Sequence, residues 1–211
     1  MQAVIAGCTG EVGQFLLQYV LDDAAFTAVT ALVRRPSTIQ HKKLTNTIIE
    51  FNQLPALDKQ TFDVLFICLG TTIKKAGSQE AFRKVDYDYV VNLTQWAKNC
   101  GAKQVHIISA LGADSKSRIF YSRVKGEMQN AVEEIGIPST YIYQPSLLDS
   151  EREEQRLGER LGILVFRALR FLFIGPLKKY ASIKVQDVAK GMVKRAKSAK
   201  SGYHIIPSDK I

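Results

Sequence analysis

Short apolar runs typical of buried strands alternate along this chain with stretches of helical periodicity. Runs of β-branched and aliphatic residues lie at 2–6, 27–33, 47–51, 63–69, 103–109 and 139–143. Apolar residues at helical spacing follow the first run, at Val12, Leu16 and Val20, and the fourth run, at Phe82 and Leu93. Strands and helices that alternate in this way form a parallel sheet covered by helices on both faces. We therefore predict an α/β fold with a doubly wound parallel sheet.

Residues that begin and end helices support the same division. Ser78 is placed to cap the helix after the fourth strand, and Gly136 ends the helix that begins near Tyr121. At 211 residues, and without a low-complexity linker, the chain is expected to form a single domain. Its last part, residues 149–211, is interpreted as a short helix-rich segment that completes the sheet with a strand at 203–206 and covers the cleft.

The sequence GCTGEVG at residues 7–13 lies between the first predicted strand and the first predicted helix. At this point of a dinucleotide-binding fold, Gly7 permits a tight turn, Gly10 lets the backbone approach a pyrophosphate, and Gly13 lets the helix pack closely on the sheet. The helix N-terminus then faces the anion. Glycine turns after strands are common, so a purely structural turn is the alternative. The other predicted contacts in this loop are Thr9, Glu11 and Val12.

Two arginines end the second predicted strand, about twenty residues beyond the glycines, where an NAD-specific protein places Asp or Glu on the ribose 2′-hydroxyl. A guanidinium there pairs with a 2′-phosphate, so Arg34 and Arg35 favour NADP(H) over NAD(H). Solvated surface charges are the alternative, and which arginine makes the contact is left open. After the fourth strand, Leu69, Gly70 and Thr71 are predicted to form part of the cofactor wall.

A tyrosine and a lysine four residues apart lie on one face of the predicted helix after the fifth strand. The phenol of Tyr121 has an ordinary pKa of about 10, and the ammonium of Lys125 is expected to lower that pKa. Ser109 ends the fifth strand, where its hydroxyl can hydrogen-bond a substrate carbonyl oxygen. Together with the glycine turn, these residues predict proton transfer from Tyr121 accompanying hydride transfer, while Lys125 also holds the nicotinamide ribose. A chance spacing and a local cap at Ser109 are the alternatives.

Five runs of the sequence resemble the atypical short-chain dehydrogenase/reductase superfamily, in the branch that contains the human Tat-interacting oxidoreductase protein and its bacterial relatives. They are ALVRRP, CLGTT, KAGSQEAFRKVDYDYV, ISALGAD and FYSRVKGE. The resemblance extends from about Gly7 to Ala199. It implies a Rossmann fold, NADP(H) binding, and an active-site triad of Ser109, Tyr121 and Lys125.

The chain departs from that pattern after the sixth strand. Such proteins commonly carry Arg-Pro-Gly near the nicotinamide, whereas this chain has Gln144-Pro145-Ser146, in which Pro145 matches a cofactor-binding position. The chain also begins at its first strand, without the N-terminal extension of the animal relatives. The resemblance does not specify the carbonyl substrate.

The basic charge is concentrated towards the end of the chain. Residues 1–150 carry 15 Lys and Arg against 14 Asp and Glu, whereas residues 151–211 carry 14 against 6. In 160–170, Arg160, Arg167 and Arg170 lie on one side of a predicted helix whose other side is apolar. We interpret the apolar side as covering the cleft or packing on the sheet, with contact to an anionic membrane surface as the alternative. No recognised nucleic-acid-binding motif accompanies the charge, so no nucleic-acid partner is expected.

Three cysteines and three histidines are isolated from one another and give no metal-ligand spacing, so we expect no metal site. Reduced thiols and the lack of a basic leader before the first strand indicate a cytoplasmic protein. The apolar run 161–177 is interrupted by Arg167 and Arg170 and is not expected to span a membrane.

The predicted function is NADP(H)-dependent reduction of a small carbonyl compound. The alternative is a redox-sensing regulator that binds the dinucleotide without turning it over. A sugar-nucleotide epimerase is disfavoured because only about sixty residues follow the sixth strand, which is little material for a sugar-nucleotide domain.

Overall fold

The first strand of the chain lies inside a seven-stranded parallel sheet, between its second and fourth strands. The strands are β1 (Gln2–Ala6), β2 (Ala28–Val33), β3 (Leu44–Ile48), β4 (Val64–Ile67), β5 (Gln104–Ile108), β6 (Ser139–Gln144) and β9 (Gly202–Pro207), in the order β3-β2-β1-β4-β5-β6-β9. A separate parallel pair consists of β7 (Leu148–Asp149) and β8 (Ile183–Lys184). This computed structural model describes residues 1–35, 39–51, 61–149 and 181–211. The predicted doubly wound parallel sheet is confirmed.

Helices connect the strands at the positions that the sequence indicated. They are α1 (Glu11–Asp22), α2 (Ile73–Ala76), α3 (Gln79–Arg83), a π-helical turn (Lys84–Asp88), α4 (Tyr89–Asn99), α5 (Phe120–Ile135) and α6 (Val185–Lys197). A short 3₁₀ helix (Ser208–Lys210) follows β9. The predicted caps are confirmed, because the Ser78 hydroxyl accepts a hydrogen bond from the Ala81 N–H at 3.1 Å and Gly136 ends α5 with a φ of 72°.

Each strand buries alternate side chains in opposite core layers. Ala3 and Ile5 of β1 lie in the layer covered by α1 and α6, whereas Val4 and Ala6 lie in the layer covered by α4 and α5. Burial of a large aliphatic side chain contributes about 1.5–3 kcal/mol, so both layers stabilise the sheet. This double coverage explains why the central strands are apolar on both faces.

The third strand lies three residues earlier than the predicted run at 47–51. Among the described residues, strand β3 (Leu44–Ile48) lies at the edge of the sheet and pairs with β2 alone, so polar residues suffice for much of its length. Ile49 and Phe51 follow the strand and are buried in the α4 and α5 layer, where the Phe51 ring stacks on Tyr89 at 5.4 Å. The apolar residues Ile49 and Phe51 therefore pack in the core after the strand has ended. The predicted position of the third strand, 47–51, was wrong for this reason.

Strand β9 pairs with β6 and adds the last strand of the sheet, as the sequence predicted for 203–206. The predicted basic helix at 160–170, with its three arginines, and the apolar run 161–177 lie outside the described residues. Among the helices that the structure does describe, none is both long and apolar enough to cross a membrane.

Candidate functional site

The glycine turn between β1 and α1 lies where the carboxyl ends of β1 and β4 meet. Gly7 has a φ of 87°, and a β-carbon there would lie 2.6 Å from the Cys68 carbonyl oxygen after β4. A β-carbon at Gly13 would lie 2.0 Å from the Gly7 oxygen, so only glycine lets α1 approach the turn. Gly10 donates its N–H to Gly7 at 3.0 Å and is the N-cap of α1, without a side-chain cap. The first-turn N–H groups are therefore suited to an anion such as a pyrophosphate.

The other loop residues differ in how far they face the site. Thr9 is exposed and Glu11 is half-buried at the start of α1. Val12 is only 4% exposed and packs in the core, so its predicted role is restricted to its backbone N–H. Burial raises the pKa of the Cys8 and Cys68 thiols, which agrees with packing residues that are not reactive thiolates.

Two arginines follow β2 at the same edge of the sheet. Arg34 and Arg35 are both exposed, and the structure records no ion pair between either guanidinium and another described residue. Since β2 is the neighbour of β1, these cations lie beside the strand that leads into the glycine turn. Exposed cations next to this glycine turn are compatible with the 2′-phosphate of a dinucleotide.

The loop after β4 is tied to the long helical stretch that follows it. The Thr71 N–H donates to Asp86 Oδ2 at 2.9 Å. A β-carbon at Gly70 would lie 3.6 Å from Asp86 Oδ1, and Leu69 packs against the α4 and α5 core layer. Asp86 belongs to the π-helical turn, and its carboxylate fixes the backbone of the predicted cofactor wall.

Lys125 is held by the same carboxylate. Its Nζ lies 2.7 Å from Asp86 Oδ1, and the two side chains are 4% and 1% exposed. A charge removed from water needs an opposite charge or hydrogen bonds, and each member of this pair supplies them to the other. The ion pair therefore connects α5 to the loop after β4 through Asp86.

Tyr121 begins the same face of α5, one turn before Lys125. The phenol is half-buried, and its ring lies 5.3 Å from the ring of Phe82. Burial raises the pKa of Tyr121, the ammonium of Lys125 opposes that rise, and the carboxylate of Asp86 adds to it. The Lys125 ammonium acts on this pKa in the expected direction, but burial and Asp86 outweigh it, so the pKa of the phenol is raised overall.

Ser109 is joined to α5 by a glutamine. Gln129 donates from Nε2 to the Ser109 Oγ at 2.6 Å, and both side chains are 5% exposed. The Gln129 Oε1 accepts a hydrogen bond from Gln144 Nε2 at 3.2 Å. Pro145 follows, is buried, and accepts the Leu111 N–H on its carbonyl at 3.0 Å. These bonds hold the ends of β5 and β6 against the helix that carries Tyr121 and Lys125.

The loop between β5 and α5 lies directly on that helix. A β-carbon at Gly126 would lie 2.1 Å from the Ser115 nitrogen and 2.3 Å from the Asp114 carbonyl carbon. The Asp114 N–H donates to the Ser122 oxygen at 3.0 Å, and Asn130 Nδ2 donates to the Ser115 hydroxyl at 3.2 Å. Gly126 therefore allows the loop that follows Ser109 to pack against α5.

The structure places Tyr121 and Lys125 on α5 and Ser109 against the same helix through Gln129. It also adds two residues that the sequence analysis missed, Asp86 and Gln129. Asp86 could have been identified from the sequence, because it is an acidic residue on the inner side of a predicted helix. Gln129 follows Lys125 by four residues and thus continues the face that begins at Tyr121. Residues at that spacing along a helix are neighbours in space.

Known proteins with similar sequences include a family that binds NAD(P)H, which agrees with the glycine turn. A model of an NAD(P)H-binding family matches residues 7–199. Protein HTATIP2 of Rattus norvegicus is 37% identical over 172 residues, which are 78% of this chain and 70% of that protein. The protein fmp52, mitochondrial, of Emericella nidulans is 32% identical over 189 residues, which are 85% of this chain and 78% of that protein.

Solved structures share the fold at low sequence identity. The Bordetella bronchiseptica enzyme WbmH in complex with NAD+ has a TM-score of 0.73 and 11% identity, covering 98% of this chain and 74% of that one. At this identity the likeness concerns the fold alone.

Proposed function

The chain belongs to the NAD(P)H-binding family, and on this premise we propose that it is an NADP(H)-dependent oxidoreductase of the short-chain dehydrogenase/reductase type that reduces a small carbonyl compound. The observation that carries the proposal is the shared face of α5. Tyr121 and Lys125 lie on it, and the Ser109 hydroxyl is bonded to Gln129 on the same helix. These groups follow strands whose carboxyl ends are at the edge that holds the glycine turn, the edge at which open α/β sheets bind ligands.

The protein groups have distinct roles in this reaction. Bound NADPH would supply the hydride to the carbonyl carbon. Tyr121 donates its phenolic proton to the carbonyl oxygen as the alcohol forms, and the resulting phenolate regains a proton from solvent. A raised pKa keeps Tyr121 protonated near neutral pH, which is the state that a proton donor needs for reduction. Ser109 orients the carbonyl oxygen, and the Lys125 ammonium stabilises the phenolate that remains.

NADP(H) is the proposed cofactor because Arg34 and Arg35 lie where an acidic residue would select NAD(H). The cofactor contacts along the turn are proposed to come from backbone N–H groups of the first turn of α1. Leu69, Gly70 and Pro145 are proposed to form the wall beside the nicotinamide half.

A second function is supported by the ion pair of Lys125 with Asp86. Because Asp86 already compensates the ammonium, the same site suits a redox-sensing regulator that binds the dinucleotide without turning it over. The two functions differ in whether Tyr121 matters, since a sensor has no need of a proton donor.

The test begins with fluorescence titration of the purified protein with NADPH and NADH. The saturated complex is then mixed with a panel of aldehydes, ketones and quinones, and NADPH oxidation is followed by its absorbance. Tyr121→Phe should abolish oxidation and retain NADPH affinity, whereas the control Tyr19→Phe on α1 should change neither. Unchanged turnover in Tyr121→Phe would refute the proton donor, and binding without any turnover would favour the sensor.

The proposed location is the cytoplasm, although the Emericella relative is named as a mitochondrial protein. Imaging of the tagged chain in its own cell would decide between the two. No nucleic-acid partner is proposed. A peripheral contact with anionic membrane is the less favoured proposal for the basic C-terminal segment, and sedimentation with phosphatidylserine vesicles at low salt would test it.

A further inference from the structure

Gln129 joins Ser109 to Gln144 through a series of hydrogen bonds, and the reaction proposed above gives Gln129 no role of its own. Its Nε2 donates to the Ser109 Oγ at 2.6 Å, and its Oε1 accepts from Gln144 Nε2 at 3.2 Å. Its backbone carbonyl accepts the Tyr203 hydroxyl at 3.1 Å, which ties this turn of α5 to strand β9. The side chain is 5% exposed, and both ends of its amide make a hydrogen bond.

The direction of these hydrogen bonds decides where the Ser109 hydroxyl proton is donated. A serine hydroxyl has one hydrogen to donate and lone pairs to accept with. When Gln129 donates to the Ser109 oxygen, that lone pair is occupied and the hydroxyl hydrogen points elsewhere. Among the described residues, the structure shows no acceptor for that hydrogen. An acceptor that enters the cleft, such as a carbonyl oxygen, would therefore receive it.

We propose that Gln129, oriented by Gln144, is a positioning residue that presents the Ser109 proton to the substrate carbonyl. The proposal rests on the proposed function, because it assigns Ser109 a carbonyl to bind. It also gives Gln144 a purpose in the sequence Gln144-Pro145-Ser146: its amide nitrogen donates to Gln129 Oε1, which leaves the Gln129 nitrogen facing Ser109.

Two variants of Gln129 with side chains of nearly equal size separate the effect of hydrogen-bond direction from that of packing. In Gln129→Glu the carboxylate only accepts, so it takes the Ser109 proton away from the substrate. In Gln129→Met the hydroxyl is left without this neighbour but is still able to donate. With NADPH saturating, we expect Gln129→Glu to lower kcat/KM for the carbonyl about 100- to 1,000-fold below Gln129→Met, the range for loss of one catalytic hydrogen-bond donor. NADPH affinity should be unchanged in both variants.

The pH profile gives a readout that packing would not move. Once protonated, the carboxyl group introduced by Gln129→Glu is a donor again. The activity of that variant should therefore recover as the pH falls through the pKa of the introduced carboxyl, whereas Gln129→Met should not recover. Equal kcat/KM in the two variants, or a flat pH profile of Gln129→Glu, would overturn the proposal.

A measurement without turnover keeps the proposal separate from the proposed function. The side-chain amide signal of Gln129 is identified in ¹⁵N-labelled protein by its loss in Gln129→Met. Ser109→Ala removes the acceptor of that amide and should move one of its two proton shifts upfield. An unmoved signal would disprove the assigned direction whatever the activity. A moved signal in a protein that reduces no carbonyl would support the direction and count against the reductase alone.

Discussion

The ammonium of Lys125 lies 2.7 Å from a carboxylate oxygen of Asp86, and both side chains are almost completely buried. The second oxygen of that carboxylate accepts the Thr71 N–H at 2.9 Å. One carboxylate thus holds both the helix that carries the proposed catalytic residues and the loop that forms part of the proposed cofactor wall. Damage to Asp86 should therefore affect stability and cofactor affinity together.

The Asp86 carboxylate is expected to stabilise the fold because it compensates the buried charge of Lys125. Asp86→Ala leaves a buried ammonium without its counter-charge, which should lower the free energy of unfolding by about 3–5 kcal/mol in urea denaturation. Asp86→Ala with Lys125→Met should recover much of that loss, because the uncompensated charge is gone. Lys197→Met is the control: its ion pair with Asp23 has the same 2.7 Å separation but a 46% exposed lysine, so about 1 kcal/mol or less is expected. Strictly additive losses in the double variant would contradict the coupling.

The Tyr121 phenol should ionise later than an ordinary tyrosine. Its pKa is raised, so in reduction assays the rate should stay level through neutral pH and fall only above about pH 10, where the proton donor is lost. Asp86→Asn removes a charge that raises this pKa and should move the fall to lower pH. The ultraviolet phenolate absorbance of the wild type minus that of Tyr121→Phe measures the same ionisation directly. A difference titration centred below about pH 10 would contradict the assignment.

His106 makes the fold sensitive to acid. Its ring is fully buried between Tyr143 Oη at 2.9 Å and Gln104 Oε1 at 3.2 Å, and burial lowers its pKa to about 3. Below about pH 6.5 the unfolded chain binds a proton here that the folded protein does not, so this contribution to stability is lost as the pH falls. We expect a loss of about 1.4 kcal/mol per pH unit from this one site between about pH 6 and 4. Urea midpoints of His106→Asn should fall less steeply over that range; equal slopes would contradict the expectation.

Gly126 should not tolerate a methyl group even though alanine is the better helix former. The substitution gains about 1 kcal/mol of helix propensity. Against this, the new β-carbon would lie 2.1 Å from the Ser115 nitrogen, and forcing atoms into packed structure costs about 1–3 kcal/mol or more. Gly126→Ala should therefore lower the thermal midpoint and displace the loop that follows Ser109. Glu134→Ala, at an exposed position of the same helix, should change the thermal midpoint little. A raised thermal midpoint of Gly126→Ala would contradict the expectation, because it would show that the loop after Ser109 moves away at little cost.

Arg34 and Arg35 should select the cofactor. Replacing both with alanine is expected to weaken NADPH binding about tenfold or more and to leave NADH nearly unchanged, since one charge-assisted hydrogen bond contributes about 1.5–3 kcal/mol. The single variants tell which guanidinium contacts the phosphate. Equal weakening of both dinucleotides would remove the basis for preferring NADP(H).

Periodicity and local turn chemistry were enough to predict the sheet, the glycine turn and the face of α5 with Tyr121 and Lys125, because these depend on neighbours close in sequence. The edge position of β3 depends on what pairs with β2, so its apolar run at Ile49 and Phe51 was mistaken for a strand. Asp86 and Gln129 act through residues far away along the chain. The raised pKa of Tyr121 was missed for the same reason: it depends on burial and on Asp86, neither of which is set by a four-residue spacing.

The packing of α6 on α1 has a consequence for how the chain folds during its synthesis. Lys197 and Asp23 meet at 2.7 Å although they are 174 positions apart, and apolar residues of both helices share one core layer. A ribosome exports α1 long before it has made α6, and β9 is added to the sheet later still. Pairings this distant make folding slow, and the part of α1 that α6 covers stays uncovered for most of the synthesis of the chain. Chaperones that shield such surfaces on ribosome-bound chains therefore have more time to act on this protein than on one whose helices cover their immediate neighbours.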